Sequence, residues 1–219
     1  TIAEKVQFTG YIPRQKINSK NTVAIRKRFR IMDGDHFVLV TTGGGGDGYE
    51  VIDRYLAMHE YYPTSLFCKT VIITGPFMAK SERERLEIRA RRFGIKIIPF
   101  HPQMETLISA ADLVISMGGY NTICEILTQQ TPSLIIPRET PRKEQLIRAR
   151  KLRDQGLLQF LTLQEATPQL LREYIFMLLN NDCIYIDKMR SFELCGLDRM
   201  VARMKYFHYT RCFSGILPN

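Results

Sequence analysis

The residues best placed to do chemistry lie in Asp112–Glu125, which reads Asp-Leu-Val-Ile-Ser-Met-Gly-Gly-Tyr-Asn-Thr-Ile-Cys-Glu. A short apolar run, Leu113 to Ile115, breaks at Gly118-Gly119 and opens into a helical pattern with apolar positions Ile123, Ile126 and Leu127. The order is strand, glycine turn, helix N-terminus. A first helical turn leaves its N–H groups without intrahelical partners and carries the positive end of the helix dipole. Glycines beside it let a phosphate approach closely, so Gly118, Gly119, Tyr120 and Asn121 form a candidate anion cradle. Thr122 and Glu125 have the spacing of a capping box. The Glu125 carboxylate has a second use, accepting two hydrogen bonds from a ribose diol.

Three further stretches carry suggestive residues. Thr41-Thr-Gly-Gly-Gly-Gly-Asp-Gly48 follows an apolar run. Gly43, Gly45 and Gly48 match G-x-G-x-x-G, but the next strand-like run ends in Thr74-Gly75-Pro76, without the acidic residue that holds an adenosine ribose. A nicotinamide or flavin site is disfavoured, and without Gly-Lys-Ser/Thr the loop is no triphosphate loop. What remains is a flexible loop, Gly44, Gly45 and Gly46 foremost, able to close over a phosphate or to serve as a tight turn. Phe100-His-Pro-Gln-Met104 presents His101, whose plain reading is structural, in a segment that Pro102 stiffens enough to flank a flat base. Glu144-Gln145 opens a helical pattern and reads as a helix-start pair or as a contact for sugar hydroxyls.

The elements that must position these residues are regular. Apolar runs at Phe37 to Val40, Val71 to Thr74, Ile95 to Pro99, Leu113 to Ile115, Leu134 to Pro137 and Leu158 to Leu161 alternate with helical patterns. Those patterns cover Tyr49 to Tyr61, Glu82 to Phe93, Met104 to Ala110, Asn121 to Gln129, Glu144 to Asp154 and Pro168 to Leu179. Near-continuous Val/Ile/Leu runs suit strands covered on both faces, and their alternation with helices predicts an α/β fold. The expectation is a Rossmann-like parallel β-sheet of about six strands with helices on both faces, its ligands beyond the strands' carboxyl ends. Ser81 with Glu84 supplies another capping-box spacing. Residues 1–22 read as a short strand (Lys5 to Ile12) and a linker (Pro13 to Thr22), 23–180 as the Rossmann-like domain, and 181–219 as a helical tail. Ile25 to Arg30 reads as a short helix with a solvated basic face. Tyr185 to Tyr206 reads as a last helical segment with Met189, Phe192, Met200 and Met204 in the core.

Composition narrows the class. The 219 residues are 45% hydrophobic and 24% charged, enough for a sizeable core in one domain or lobe. No apolar run approaches a membrane span and the first residues are not laid out as a signal peptide, so a soluble, cytoplasmic chain is expected. It begins without Met, which suggests a fragment. Five widely spaced cysteines, Cys68, Cys124, Cys183, Cys195 and Cys212, argue for reduced, mostly buried thiols and for no metal site. A net charge of +9 favours anionic partners without choosing among them. Nucleic acid is not the expected partner, because the basic residues lack an interleaved aromatic platform. Peripheral contact with an anionic membrane stays open.

Taken in order, the glycine loop, Thr74-Gly75-Pro76, Phe100–Met104, Ala110–Glu125, Pro137 and Glu144-Gln145 resemble the C-terminal half of GT-B fold glycosyltransferases. The resemblance is to the branch containing the bacterial lipid II GlcNAc transferase and to glycosyltransferases with a Gly-Gly-Tyr-Asn-Thr signature, and it covers roughly Val6 to Leu179. It implies a nucleotide-sugar substrate, UDP-linked, with neither cofactor nor metal. Gly118, Gly119, Asn121 and Thr122 would face the diphosphate, Glu125 would hold the ribose, Phe100 to Met104 would flank the base, and Glu144 and Gln145 would contact the sugar. Met117 stands where plant-type transferases have a histidine and where the retaining branch has a glutamate, which favours inversion. Arg148 replaces an Asn that follows the acid-Gln pair in the lipid II branch. The resemblance further implies that the general base and the acceptor site belong to an N-terminal domain or to a separate partner subunit, leaving this chain inactive alone.

Overall fold

The structure is a computed structural model that describes residues 6–63 and 68–213, the last seven by backbone alone. Helix α1 (Ser19–Arg28) leads into β1 (His36–Thr41), α2 (Tyr49–Tyr61), β2 (Cys68–Ile73), α3 (Lys80–Arg91) and β3 (Lys96–Ile98). Then follow α4 (Met104–Ala110), β4 (Leu113–Ser116), α5 (Tyr120–Gln129), β5 (Ser133–Ile135), α6 (Glu144–Asp154) and β6 (Gln159–Phe160). Helices α7 (Pro168–Asn180), α8 (Asp182–Arg190) and α9 (Gly196–Phe213) close the described chain.

Six strands form one parallel sheet in the order β3-β2-β1-β4-β5-β6. The central strands are apolar because both faces are covered: Phe37 to Val40 and Leu113 to Ile115 are fully buried. Helices α2, α3 and α7 pack in one group and α1, α4 and α5 in another. The strand ends are in register, Ile98, Ile73, Thr41, Ser116, Ile135 and Phe160 lying in one row. After β3 the chain returns to the other side of β1, so the loops after β1 and β4 diverge from neighbouring strands. That is the topological switch point of a doubly wound sheet. The expected fold class is the one observed.

Several local expectations change. Val6 to Ile12 forms no strand, and Lys5 lies outside the described residues. Helix α1 begins at Ser19, inside the stretch read as a linker, because Asn18 caps it by accepting from the Asn21 N–H. Its basic face is not simply solvated: Arg26 donates to the Ala110 carbonyl, the Asp35 carbonyl and Asp112. Asp112 in turn accepts from the Phe37 N–H, which ties α1 to the starts of β1 and β4.

Neither capping box forms. Helix α3 starts at Lys80 and α5 at Tyr120, so Ser81 and Thr122 lie inside their helices and neither helix has a side-chain cap. The last segment is two helices, interrupted at Ser191 to Cys195. Met189 is buried there and Phe192 packs on the core, but Met200 and Met204 are exposed. Of the four cysteines whose side chains are described only Cys124 is fully buried, and Cys183 is exposed. The Cys212 side chain lies outside the described residues. Among the described residues no helix is long and apolar enough to cross a membrane.

Candidate functional site

The site is built where the β1 and β4 ends meet. Beyond β1, the Thr42 hydroxyl donates to the Thr74 carbonyl at 2.8 Å and the Phe77 N–H donates to the Gly44 carbonyl at 2.9 Å. These bonds lay the glycine loop against the loop after β2. Gly45 has φ +89°, and a Cβ there would lie 2.1 Å from the Thr74 carbonyl oxygen, so only glycine fits. Beyond β4, Gly118 has φ +71°, and its N–H donates to the Ser116 hydroxyl at 3.2 Å. This turn aims α5 so that Ile123 makes its first intrahelical bond, to the Gly119 carbonyl at 2.9 Å. The N–H groups of Tyr120, Asn121 and Thr122 precede that bond and have no intrahelical acceptor.

Between the two loops lies a cavity of about 240 Å³, lined by Thr41 to Asp47, Phe77, Met117 to Gly119, Thr122, Arg138 and Gln145. The structure thus brings together Gly44, Gly45, Gly46, Gly118, Gly119, Thr122 and Gln145 of the residues expected from sequence. Glu144 stands at the first position of α6, its carboxylate bound to Arg138 at 2.7 Å. Gln145 accepts from the Arg138 N–H at 2.9 Å.

The remaining expected residues lie outside that lining. Phe100 is 59% exposed beyond β3. His101 is buried, its Nδ1 accepting from the Gln103 N–H at 3.2 Å while Nε2 has no partner among the described residues. Desolvation lowers its pKa, so the ring is neutral. Met104 opens α4. Tyr120 is partly exposed, stacks on Tyr11 at 5.8 Å and donates from its hydroxyl to the Gly10 carbonyl at 3.2 Å. Glu125 is half-buried on α5 and makes no hydrogen bond or ion pair with the described residues. Burial, reinforced by the charge of Glu105, pushes its pKa up to about 7, against the opposing field of Arg14.

Sequence reasoning did not foresee the contacts of three arginines. Arg14 donates to the Asn121 side-chain oxygen at 2.9 Å and its N–H donates to the Thr128 hydroxyl at 3.0 Å, strapping the segment before α1 over α5. Arg148, singled out in the sequence only as the replacement of an Asn, donates to the Gly118 carbonyl at 2.8 Å and lies over the Tyr120 ring. Arg138 links Asp47 of the glycine loop to Glu144. Only the strand-end position of Arg138 offered a signal in sequence; the other two depend on contacts between distant segments. Among the described residues no group of three or more His, Cys, Asp or Glu is disposed to hold a metal ion.

Residues 38–202 match the sequence family described as the glycosyltransferase family 28 C-terminal domain. The chain is 24% identical over 195 residues to the UDP-N-acetylglucosamine–N-acetylmuramyl-(pentapeptide) pyrophosphoryl-undecaprenol N-acetylglucosamine transferase of Natranaerobius thermophilus, covering 87% of this chain and 53% of that protein. The enzyme of the same name from Thermodesulfovibrio yellowstonii is 28% identical over 195 residues, with 89% and 52% covered. The chain therefore spans about half the length of these curated relatives. Similar solved structures include WaaG, a glycosyltransferase involved in lipopolysaccharide biosynthesis, with TM-score 0.65, 14% identity and 92% of this chain and 56% of that chain covered. Acinetobacter baumannii MurG aligns with TM-score 0.57 and 19% identity over 78% of this chain and 48% of that chain. At these identities the structural likeness is one of fold, that of the C-terminal half of a GT-B protein.

Proposed function

Because the chain belongs to the glycosyltransferase family 28 C-terminal domain family, we propose that it is the donor-binding half of an inverting, metal-independent glycosyltransferase using a UDP-linked sugar. The observation that carries this reading is the cavity at the β1/β4 switch point, where a glycine loop faces the free N–H groups of a helix. The two curated transferases named above are UDP-N-acetylglucosamine enzymes, which supports uridine as the base.

In this reading the amides of Gly119, Tyr120 and Asn121, with the Thr122 hydroxyl, receive the diphosphate. Stabilisation of the leaving group by fixed dipoles stands in for a metal ion. Glu125, one turn further along α5 and without a hydrogen-bond or ion-pair partner among the described residues, receives the ribose hydroxyls. Phe100 to Met104 flank the base, His101 contributing backbone and shape as a neutral ring. Gln145 and Glu144 meet the sugar next to Met117. The general base and the acceptor come from a second half, in the same polypeptide or in a partner subunit, and the Natranaerobius and Thermodesulfovibrio enzymes, of which this chain covers 53% and 52%, leave room for such a half.

Titration of the chain with UDP, GDP, dTDP and ADP tests the reading. UDP is expected to bind saturably and best, and Glu125→Ala to weaken it. Failure of all four nucleotides to bind, or unchanged affinity in Glu125→Ala, overturns the site assignment.

A further inference from the structure

Arg138 follows the end of β5 and joins two loops that sequence keeps 91 residues apart. One terminal nitrogen donates to Asp47 at 2.8 Å and the other to Glu144 at 2.7 Å. Its Nε is buried without an acceptor among the described residues. It is the one cationic side chain among the described residues lining the 240 Å³ cavity. It also lines a neighbouring cavity of about 610 Å³ whose walls carry Asp47, Glu50, Glu82 and Glu139.

A cavity suited to a dianion thus has its single cation covered by two carboxylates of the protein. Both carboxylates are close to half-exposed, at 47% and 44% for Asp47 and Glu144, and ion pairs this wet are weak. A diphosphate presents the paired oxygens that a planar guanidinium binds with two parallel hydrogen bonds, and it carries more charge than either carboxylate. The exchange is therefore favourable in direction and needs only a side-chain movement.

We infer that Arg138 is the cationic contact of the bound diphosphate, and that Asp47 and Glu144 form a clasp which the ligand opens. This rests on the reading of the cavity as a nucleotide-sugar pocket. Two consequences follow from the connections. Asp47 belongs to the glycine loop, so opening the clasp uncouples that loop from the start of α6 and lets it move over the ligand. Glu144 is released beside Gln145, where a sugar hydroxyl can take the place of the guanidinium.

The test compares UDP with uridine, which lacks the diphosphate, by calorimetry on the 219-residue chain. Arg138→Gln is expected to weaken UDP about ten-fold or more while leaving uridine within about two-fold, and Arg138→Lys to recover part of the loss. Asp47→Asn, which loosens the clasp, is expected to strengthen UDP a few-fold without changing uridine. Equal loss of UDP and uridine in Arg138→Gln would assign the arginine to the cavity wall alone and overturn the inference, as would unchanged UDP binding or a loss of UDP affinity in Asp47→Asn. If the unmodified chain binds no UDP, the pocket reading itself falls. If it binds UDP and Arg138→Gln binds it equally, only the role of Arg138 falls.

Discussion

The carbonyl oxygen of Gly43 lies so close to Gly75 that a Cβ on Gly75 would sit 2.3 Å from it. Gly75 also has φ +83°, in the left-handed region that L side chains avoid. Two chain turns, one after β1 and one after β2, are therefore pressed backbone to backbone, and the first of them lines the cavity.

Gly75→Ala is expected to destabilise the fold by about 2 kcal/mol or more, because both the backbone angle and the contact oppose it. Gly46→Ala, with no neighbour within 4 Å, is expected to stay within about 0.5 kcal/mol. Urea unfolding midpoints check the pair, and equal stability of the two variants would contradict the packing described.

Nucleotide affinity should depend on pH through Glu125. A ribose diol donates to the carboxylate, so binding favours the ionised form, while the free protein holds the pKa at about 7. Affinity for UDP is expected to rise about ten-fold from pH 6 to pH 8, with proton release at neutral pH. In Glu125→Gln this carboxylate-dependent rise should disappear, leaving only the titration of the UDP terminal phosphate. The effect on stability has the opposite slope: a carboxyl whose folded pKa is raised contributes stability below the ordinary carboxylate range, lost as pH rises through about 7.

Arg14 sets where that profile falls. Its field lowers the Glu125 pKa against burial and Glu105. Arg14→Gln is expected to move the midpoint of the UDP affinity profile to higher pH, and a midpoint that stays in place would separate Arg14 from the carboxylate.

His59 is expected to limit stability in acid. It is buried against Tyr55 and Phe93, its Nε2 has no partner among the described residues, and desolvation pulls its pKa down to about 4. The folded ring stays neutral while the unfolded one protonates, so its stability contribution is present above pH 6.5 and is lost as pH falls toward 4. Between pH 7 and pH 5 this amounts to about 2 kcal/mol. His59→Phe should lose less stability over that interval by about the same amount, read from urea unfolding at the two pH values.

Much of the fold was legible because burial on both faces forces a simple pattern. Each of the six apolar runs overlaps a strand, and Met104 to Ala110 and Glu144 to Asp154 are helices with the expected bounds. Legibility stopped where a local motif had a tertiary competitor. Thr122 and Glu125 have capping-box spacing, yet the turn at Gly118 puts the N-cap of α5 at Gly119, three residues before Thr122, which leaves Glu125 free of that duty. Val6 to Ile12 has strand-like composition but joins no strand of the sheet among the described residues, and Tyr11 instead packs on Tyr120 and Phe192.

By itself the sequence determined that this is an alternating α/β chain with glycine turns after its first and fourth strands, because period and glycine placement are local properties. Only the tertiary structure decided which strand ends become neighbours, and with them the partners of every charge near the cavity. Arg138 finds Asp47 across 91 residues and Arg14 finds Asn121 across 107. Glu125 acquires its raised pKa from the side chains that surround it. Electrostatics depends on distance and solvent exposure in three dimensions, and neither quantity is written along the chain.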